Sequence, residues 1–174
     1  MIVVLLTFVV LATTVLSCIS DARTLRIPNL HSLIVLGAFV PAYFLSPESF
    51  GPWWEPLGAL AIFFVITYVM FSWGMMGGGD AKLGSALALW TGLKGFLPYV
   101  FYMALTGGVL GIIALTFKKY KFFKNPAAGS WVASAQEGRN AVPYGIAISV
   151  GAWAGLLHTG LIHHQLDEVI KIIH

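Results

Sequence analysis
The chain has 174 residues, of which 58% are hydrophobic and 10% charged, and its mean hydropathy is +0.84. Soluble domains carry about 25% charged residues, so this composition excludes a soluble protein and describes an integral membrane protein. The net charge of +3 and the pI near 9.1 do not indicate nucleic-acid binding, because the basic residues sit in a few short loops where they report membrane orientation. The single cysteine, Cys18, makes no internal disulfide or cysteine-rich zinc site and reads as a small apolar residue.

The apolar runs predict an all-α bundle of six transmembrane helices, forming one membrane-embedded domain over residues 1–174. The first span is expected over 1–19. It has no basic n-region and no clear small-residue cleavage site, so it reads as a retained span and not as a signal peptide. A polar loop, Ser20 to Asn29, follows; Pro28 disfavours helix at Ile27, and Asn29 is a candidate cap. Further spans are expected over 30–45, 57–76, 83–96, 98–117 and 142–157. Between the second and third lies a loop with three prolines and an interfacial Trp53-Trp54 pair. Lys118 to Lys124 is a basic aromatic cluster, read as an orientation signal in contact with phospholipid. In the tail, 160–173, Leu161, Ile162, Leu166, Val169, Ile170 and Ile173 recur at helical spacing, which predicts an amphipathic helix on the membrane surface. Gly107/Gly111 and Gly151/Gly155 are four apart, a spacing that permits close helix packing in lipid.

The run Gly77-Gly78-Gly79-Asp80-Ala81-Lys82-Leu83 stands out within this pattern. It places a carboxylate between two apolar segments, where a charge is costly and is a functional candidate by default. Glycines without Cβ atoms let the backbone bend and let another chain approach. The plainer reading is that Gly77–Gly79 end one helix and Asp80 caps the next.

Six spans put both termini on one side of the membrane. The loops after spans one, three and five hold Arg23, Arg26, Lys82, Lys118, Lys119, Lys121, Lys124 and Arg139, eight of the ten basic residues. The positive-inside rule makes that side cytoplasmic and leaves both termini outside. Asp21 then follows span one and Asp80 follows span three, so both lie at the cytoplasmic end of the bundle. Two carboxylates within hydrogen-bonding distance do not both ionise readily and hold one proton between them. One draws a proton from water as the water attacks a peptide carbonyl; the other donates to the developing oxyanion. The plainer reading of Asp21 alone is a solvated loop charge or a helix cap. The chemistry requires no metal or other cofactor, and no metal site is read from the histidines: His31 stands alone, and His158, His163, His164 and His174 fall on the outer side.

Three segments together resemble the type IV prepilin peptidases, in the short form that processes tight-adherence pilins. They are Asp21 with Arg26-Ile27-Pro28-Asn29; the run Gly77 to Leu83; and Val142-Pro143-Tyr144-Gly145-Ile146-Ala147-Ile148. The resemblance implies an intramembrane aspartic endopeptidase of the GxGD type in a prokaryotic cytoplasmic membrane, with Asp21 and Asp80 as the catalytic pair. It implies a prepilin or pseudopilin precursor as substrate, cut at the cytoplasmic face to release a short basic leader. Gly77, Gly78 and Gly79 are candidates to admit the extended cleavage segment. Lys82, Pro143 and Tyr144 are further candidates for the substrate side of the site, with lipid contact or an interfacial anchor as the alternatives for Lys82 and Tyr144. Longer relatives also N-methylate the new terminus and carry a cytoplasmic insertion with paired cysteines. This chain has neither, which argues against methylation and zinc. Oligomerisation is left open. The rival readings are a proton-coupled transporter or channel using Asp80, a preflagellin peptidase of the archaeal kind, and a non-catalytic assembly subunit.

Overall fold
The computed structural model of the chain describes residues 2–139 and 142–161. Among them there is no β-strand, and seven helices follow one another: α1 (Ile2–Thr24), α2 (Asn29–Leu45), α3 (Pro47–Phe50), α4 (Trp54–Ser72), α5 (Gly78–Tyr120), α6 (Trp131–Gln136) and α7 (Tyr144–His158). Three of these, α1, α4 and α5, are long and apolar enough to cross a membrane, while α2 and α7 are shorter apolar helices. The expected amphipathic tail lies outside the described residues beyond Leu161.

Several boundaries differ from the sequence reading: α4 covers Trp54–Ser72 and not 57–76, α5 begins at Gly78 and not at 83, α3 and α6 are short helices within expected loops, and two further differences bear on the site. The first helix does not stop at 19 but runs to Thr24, so Asp21 is a helical residue and not a loop charge. Hydropathy falls at Ser20, but nothing there breaks a helix; the helix ends where Leu25 turns to φ 53° and its amide bonds back to the Asp21 carbonyl at 2.8 Å. The second difference lies in α5. No break separates Phe96 from Pro98. Instead the chain turns at Gly92, whose φ of 55° and ψ of −173° suit only glycine. Pro98 stays helical in the second limb, where the backbone bond it forgoes is to the carbonyl of Lys94, an exposed residue. A straight helix of this length would measure ~65 Å, twice the ~30 Å hydrocarbon thickness, so the turn is what lets α5 form two limbs.

The first limb of α5 is the axis of the bundle. Every residue from Leu83 to Gly92 is buried, as expected of a helix that is apolar all round. Packing supplies most of the cohesion, and a few hydrogen bonds fix the register. Trp90 Nε1 donates to the Val35 carbonyl of α2 at 2.9 Å, and the Tyr99 hydroxyl of the second limb donates back to Gly84 at 3.0 Å. The Tyr99 ring stacks on Phe63 of α4, with centroids 4.9 Å apart. On α7, Trp153 Nε1 donates to the Thr14 hydroxyl of α1 at 2.8 Å. His31 Nδ1 lies 2.8 Å from the Ser17 hydroxyl. That hydroxyl gives its one proton to the Thr13 carbonyl, so the imidazole Nδ1 is the donor.

The α5–α7 seam is made by glycine. A Cβ added at Gly151 would lie 2.5 Å from the Tyr99 carbonyl oxygen, and one at Gly155 2.9 Å from that of Gly95. The other spaced pair behaves differently: Gly107 makes ordinary contact with Tyr144, and Gly111 faces open space. Backbone carbonyls form part of the seam at both glycines, with Thr91, Tyr99 and Met103 side chains packed beside them, so an added side chain has little room. We therefore expect Gly151→Val to destabilise the protein by about 1–3 kcal/mol or more. Gly111→Val should leave stability nearly unchanged. Thermal unfolding of the two variants in detergent micelles checks this.

Candidate active site
Helix α5 begins at Gly78 with Gly77 as its N-cap residue, so Asp80 is the third helical residue. Its carboxylate folds back over the helix start toward the backbone N–H of Gly77. This is half of a capping box, made by the acid alone, since glycine has no side chain to return the bond. Gly77 must be small for this geometry, because a Cβ there would lie 2.7 Å from Asp80 Oδ2. The plainer reading of Asp80 as a helix-capping acid is thus present in the structure. It accounts for one oxygen; the other, Oδ1, is buried and has no hydrogen-bond partner.

Asp21 reaches the same region from the last turn of α1. It is 4% exposed, and its Oδ2 accepts the backbone N–H of Gly145 at 2.6 Å. Gly145 is the second residue of α7, so Asp21 serves as the missing cap of a helix far away in sequence. Both acids therefore sit at helix N-termini, where the macrodipole favours negative charge.

Asp21 and Asp80 line one cavity of ≈ 290 Å³ together with Leu25, Arg26, Ile27, Gly77, Gly78 and Gly79. The structure thus gathers the two acids and the glycine run. The remaining sequence candidates are not in the cavity wall. Lys82 turns to Asn29, donating from Nζ to Oδ1 at 3.1 Å, so Asn29 receives a lysine and makes no cap bond of its own. Pro143 is buried as the N-cap residue of α7, and the Tyr144 ring lies against Gly107. The part of that segment that touches an acid is the Gly145 amide, which a search for reactive side chains passes over. Arg26 and Ile27 belong to the segment that carries the family resemblance without a role of their own in it, and Leu25 carries no sequence signal; the cavity wall includes all three.

At the opposite end, a cavity of ≈ 390 Å³ is lined by Glu48, Glu55 and Lys94 among others. Its acids are placed differently: Glu48 is exposed and accepts from the Ser46 hydroxyl, and Glu55 lies 3.8 Å from Lys94. A larger apolar depression between the second limb of α5 and α7, lined by Leu97, Phe101, Trp153 and Leu157, holds no acid. Among the described residues, no three His, Cys, Asp or Glu side chains gather closely enough to hold a metal ion.

Comparison with known proteins points the same way. The profile of the type IV leader peptidase family matches residues 6–112, which include both aspartates and the glycine run. A prepilin leader peptidase/N-methyltransferase of Xanthomonas campestris pv. campestris is 33% identical over 78 residues, or 45% of this chain. The match spans 22% of that relative's length. No solved structure matches the chain. The family match covers more than half of the sequence, and on it the chain belongs to the type IV leader peptidase family.

Proposed function
We propose that this protein is an intramembrane aspartic endopeptidase that removes the leader from prepilin or pseudopilin precursors, with Asp21 and Asp80 as its catalytic pair. The observation that carries this reading is the shared cavity, in which acids from α1 and α5 meet beside Gly77–Gly79. The two carboxylates hold one proton between them. One takes a proton from water as the water attacks the scissile carbonyl, and the other donates to the oxyanion. The amine then leaves with a proton from the pair. Gly145 N–H holds Asp21 in place through the cycle. The proposal covers hydrolysis and not methyl transfer.

In the membrane, we read α1, α2, α4, the two limbs of α5, and α7 as six spans, with the acid pair on the cytoplasmic side and both termini outside. The lysines at 118, 119, 121 and 124 support this orientation, since they follow the second limb of α5 at the acid-bearing end. The exposed apolar faces of α1 and α4, such as Leu5, Phe8, Val65 and Phe71, are read as lipid contacts. The basic leader of the substrate then stays in the cytoplasm, and its apolar helix lies in the bilayer.

Two outcomes test the reading. Asp21→Asn and Asp80→Asn, made singly, are each expected to lower precursor cleavage at least about a hundredfold, because general acid–base groups contribute on that scale. The size of a co-expressed pilin precursor on an immunoblot checks this, with the variant's level in the membrane as control. Full cleavage by both variants would refute the assignment. Gly145→Ala would bring a Cβ to 3.0 Å from both Asp21 Cβ and Asp21 Oδ2. It is expected to lower the cleavage rate by about tenfold or more through displacement of the acid, read in the same assay.

A further inference from the structure
Ile27 is the buried residue of an otherwise exposed run, with 8% of its surface accessible while Arg26, Pro28 and Asn29 are exposed. It is wedged between two helix starts. A Cβ on Gly79 would lie 2.9 Å from the Ile27 carbonyl oxygen and 3.2 Å from its Cβ. A Cβ on Gly145 would lie 2.9 Å from Ile27 Cδ1. The two glycines hold equivalent places, each being the second residue of its helix. Gly79 immediately precedes Asp80, and Gly145 supplies the N–H that Asp21 accepts. A single side chain and its own backbone therefore separate the two places at which the acids are held.

The segment that carries Ile27 is itself fixed. Leu25 turns at φ 53°, and its amide donates to the Asp21 carbonyl at 2.8 Å. The Ser20 hydroxyl donates to the Arg26 carbonyl at 2.8 Å. Pro28 confines Ile27 to extended backbone, and Lys82 ties Asn29 to the first turns of α5 at 3.1 Å. A side chain anchored from α1, α2 and α5 sets a distance and does not merely follow one.

We infer that Ile27 is a positioning residue: its contacts with Gly79 and Gly145 set the separation between Asp21 and Asp80. The inference rests on the reading of the two aspartates as a catalytic pair. A shorter side chain leaves a gap beside Gly145 into which the start of α7 moves, and Asp21 moves with it, while the Ile27 backbone still bears on Gly79 beside Asp80. Acid–base chemistry is sensitive to displacements of this order, whereas binding is shared with the other residues of the cavity wall.

The test is steady-state cleavage of a synthetic precursor peptide by the full-length protein in detergent, comparing wild type, Ile27→Val and Ile27→Ala. Both variants lose the Cδ1 contact with Gly145 and keep the carbonyl oxygen and Cβ that meet Gly79; alanine also loses both γ carbons and leaves the larger gap. Ile27→Ala is expected to lower kcat between about tenfold and about a hundredfold with KM within about twofold, and Ile27→Val to show a smaller but definite loss. Thermal unfolding of each variant corrects the rates for folded protein. A kcat equal to wild type in Ile27→Ala overturns the inference. So does a loss confined to KM, or one that vanishes after the correction. If Ile27→Ala does not accumulate, Ile27→Val decides, and its wild-type kcat overturns the inference. A wild-type protein that cuts no peptide sinks the peptidase reading as well; one that cuts, with Ile27→Ala equally active, sinks the spacer alone.

Discussion
The structure depends on how two carboxylates are held inside a largely apolar bundle. Each is secured by a backbone N–H at a helix N-terminus: Asp80 by Gly77 in its own helix, Asp21 by Gly145 in another. An acid at such a position gains about 0.3–2 kcal/mol. That is small against the several kcal/mol that burying a carboxylate costs, so the site is not there for stability. One N–H per acid satisfies one oxygen and leaves acceptor capacity unused, most plainly at the buried Asp80 Oδ1. The arrangement immobilises the acids without saturating them, as the proposed catalytic pair requires.

Rigidity around the site comes from glycine as much as from large side chains. Gly77, Gly79 and Gly145 let an acid or the Ile27 segment approach to a distance that no Cβ allows. Gly151 and Gly155 do the same for the α5–α7 seam. Large residues then fill what remains: Trp90 and Tyr99 are buried and both are tied to backbone carbonyls of neighbouring elements. Satisfying such donors matters in a membrane, where no water replaces a lost partner. The acid pair thus stands on a frame whose helix positions are set by backbone contact.

Much of this was legible in the sequence, and the parts that were not share a cause. Long apolar runs separated by loops point to the helices of an all-α bundle, and a glycine run ending in an acid marks Asp80 by its cost. What side-chain type does not encode is backbone direction. Gly92 carries the turn in α5, yet Pro98, a stronger punctuation mark, drew the predicted break to its neighbourhood. The end of α1 was placed where polarity begins, although a helix continues through polar residues until its backbone is turned, here at Leu25. The Gly145 amide has no side chain to announce it. Ile27 could have been noticed as an apolar residue where its neighbours are solvated, but its two glycine contacts belong to distant stretches of the chain.

The turn at Gly92 has one more effect. Within a continuous helix, every inserted or deleted residue rotates all that follows by about 100°. A left-handed glycine interrupts that inheritance, because the angular setting of one limb is no longer transmitted to the other. Helix α5 can therefore change length beyond Gly92 while Asp80 keeps its bearing on the cavity. Past Tyr99, which ties the second limb to Gly84 of the first, the limb that carries the acid places no constraint on the length of the other.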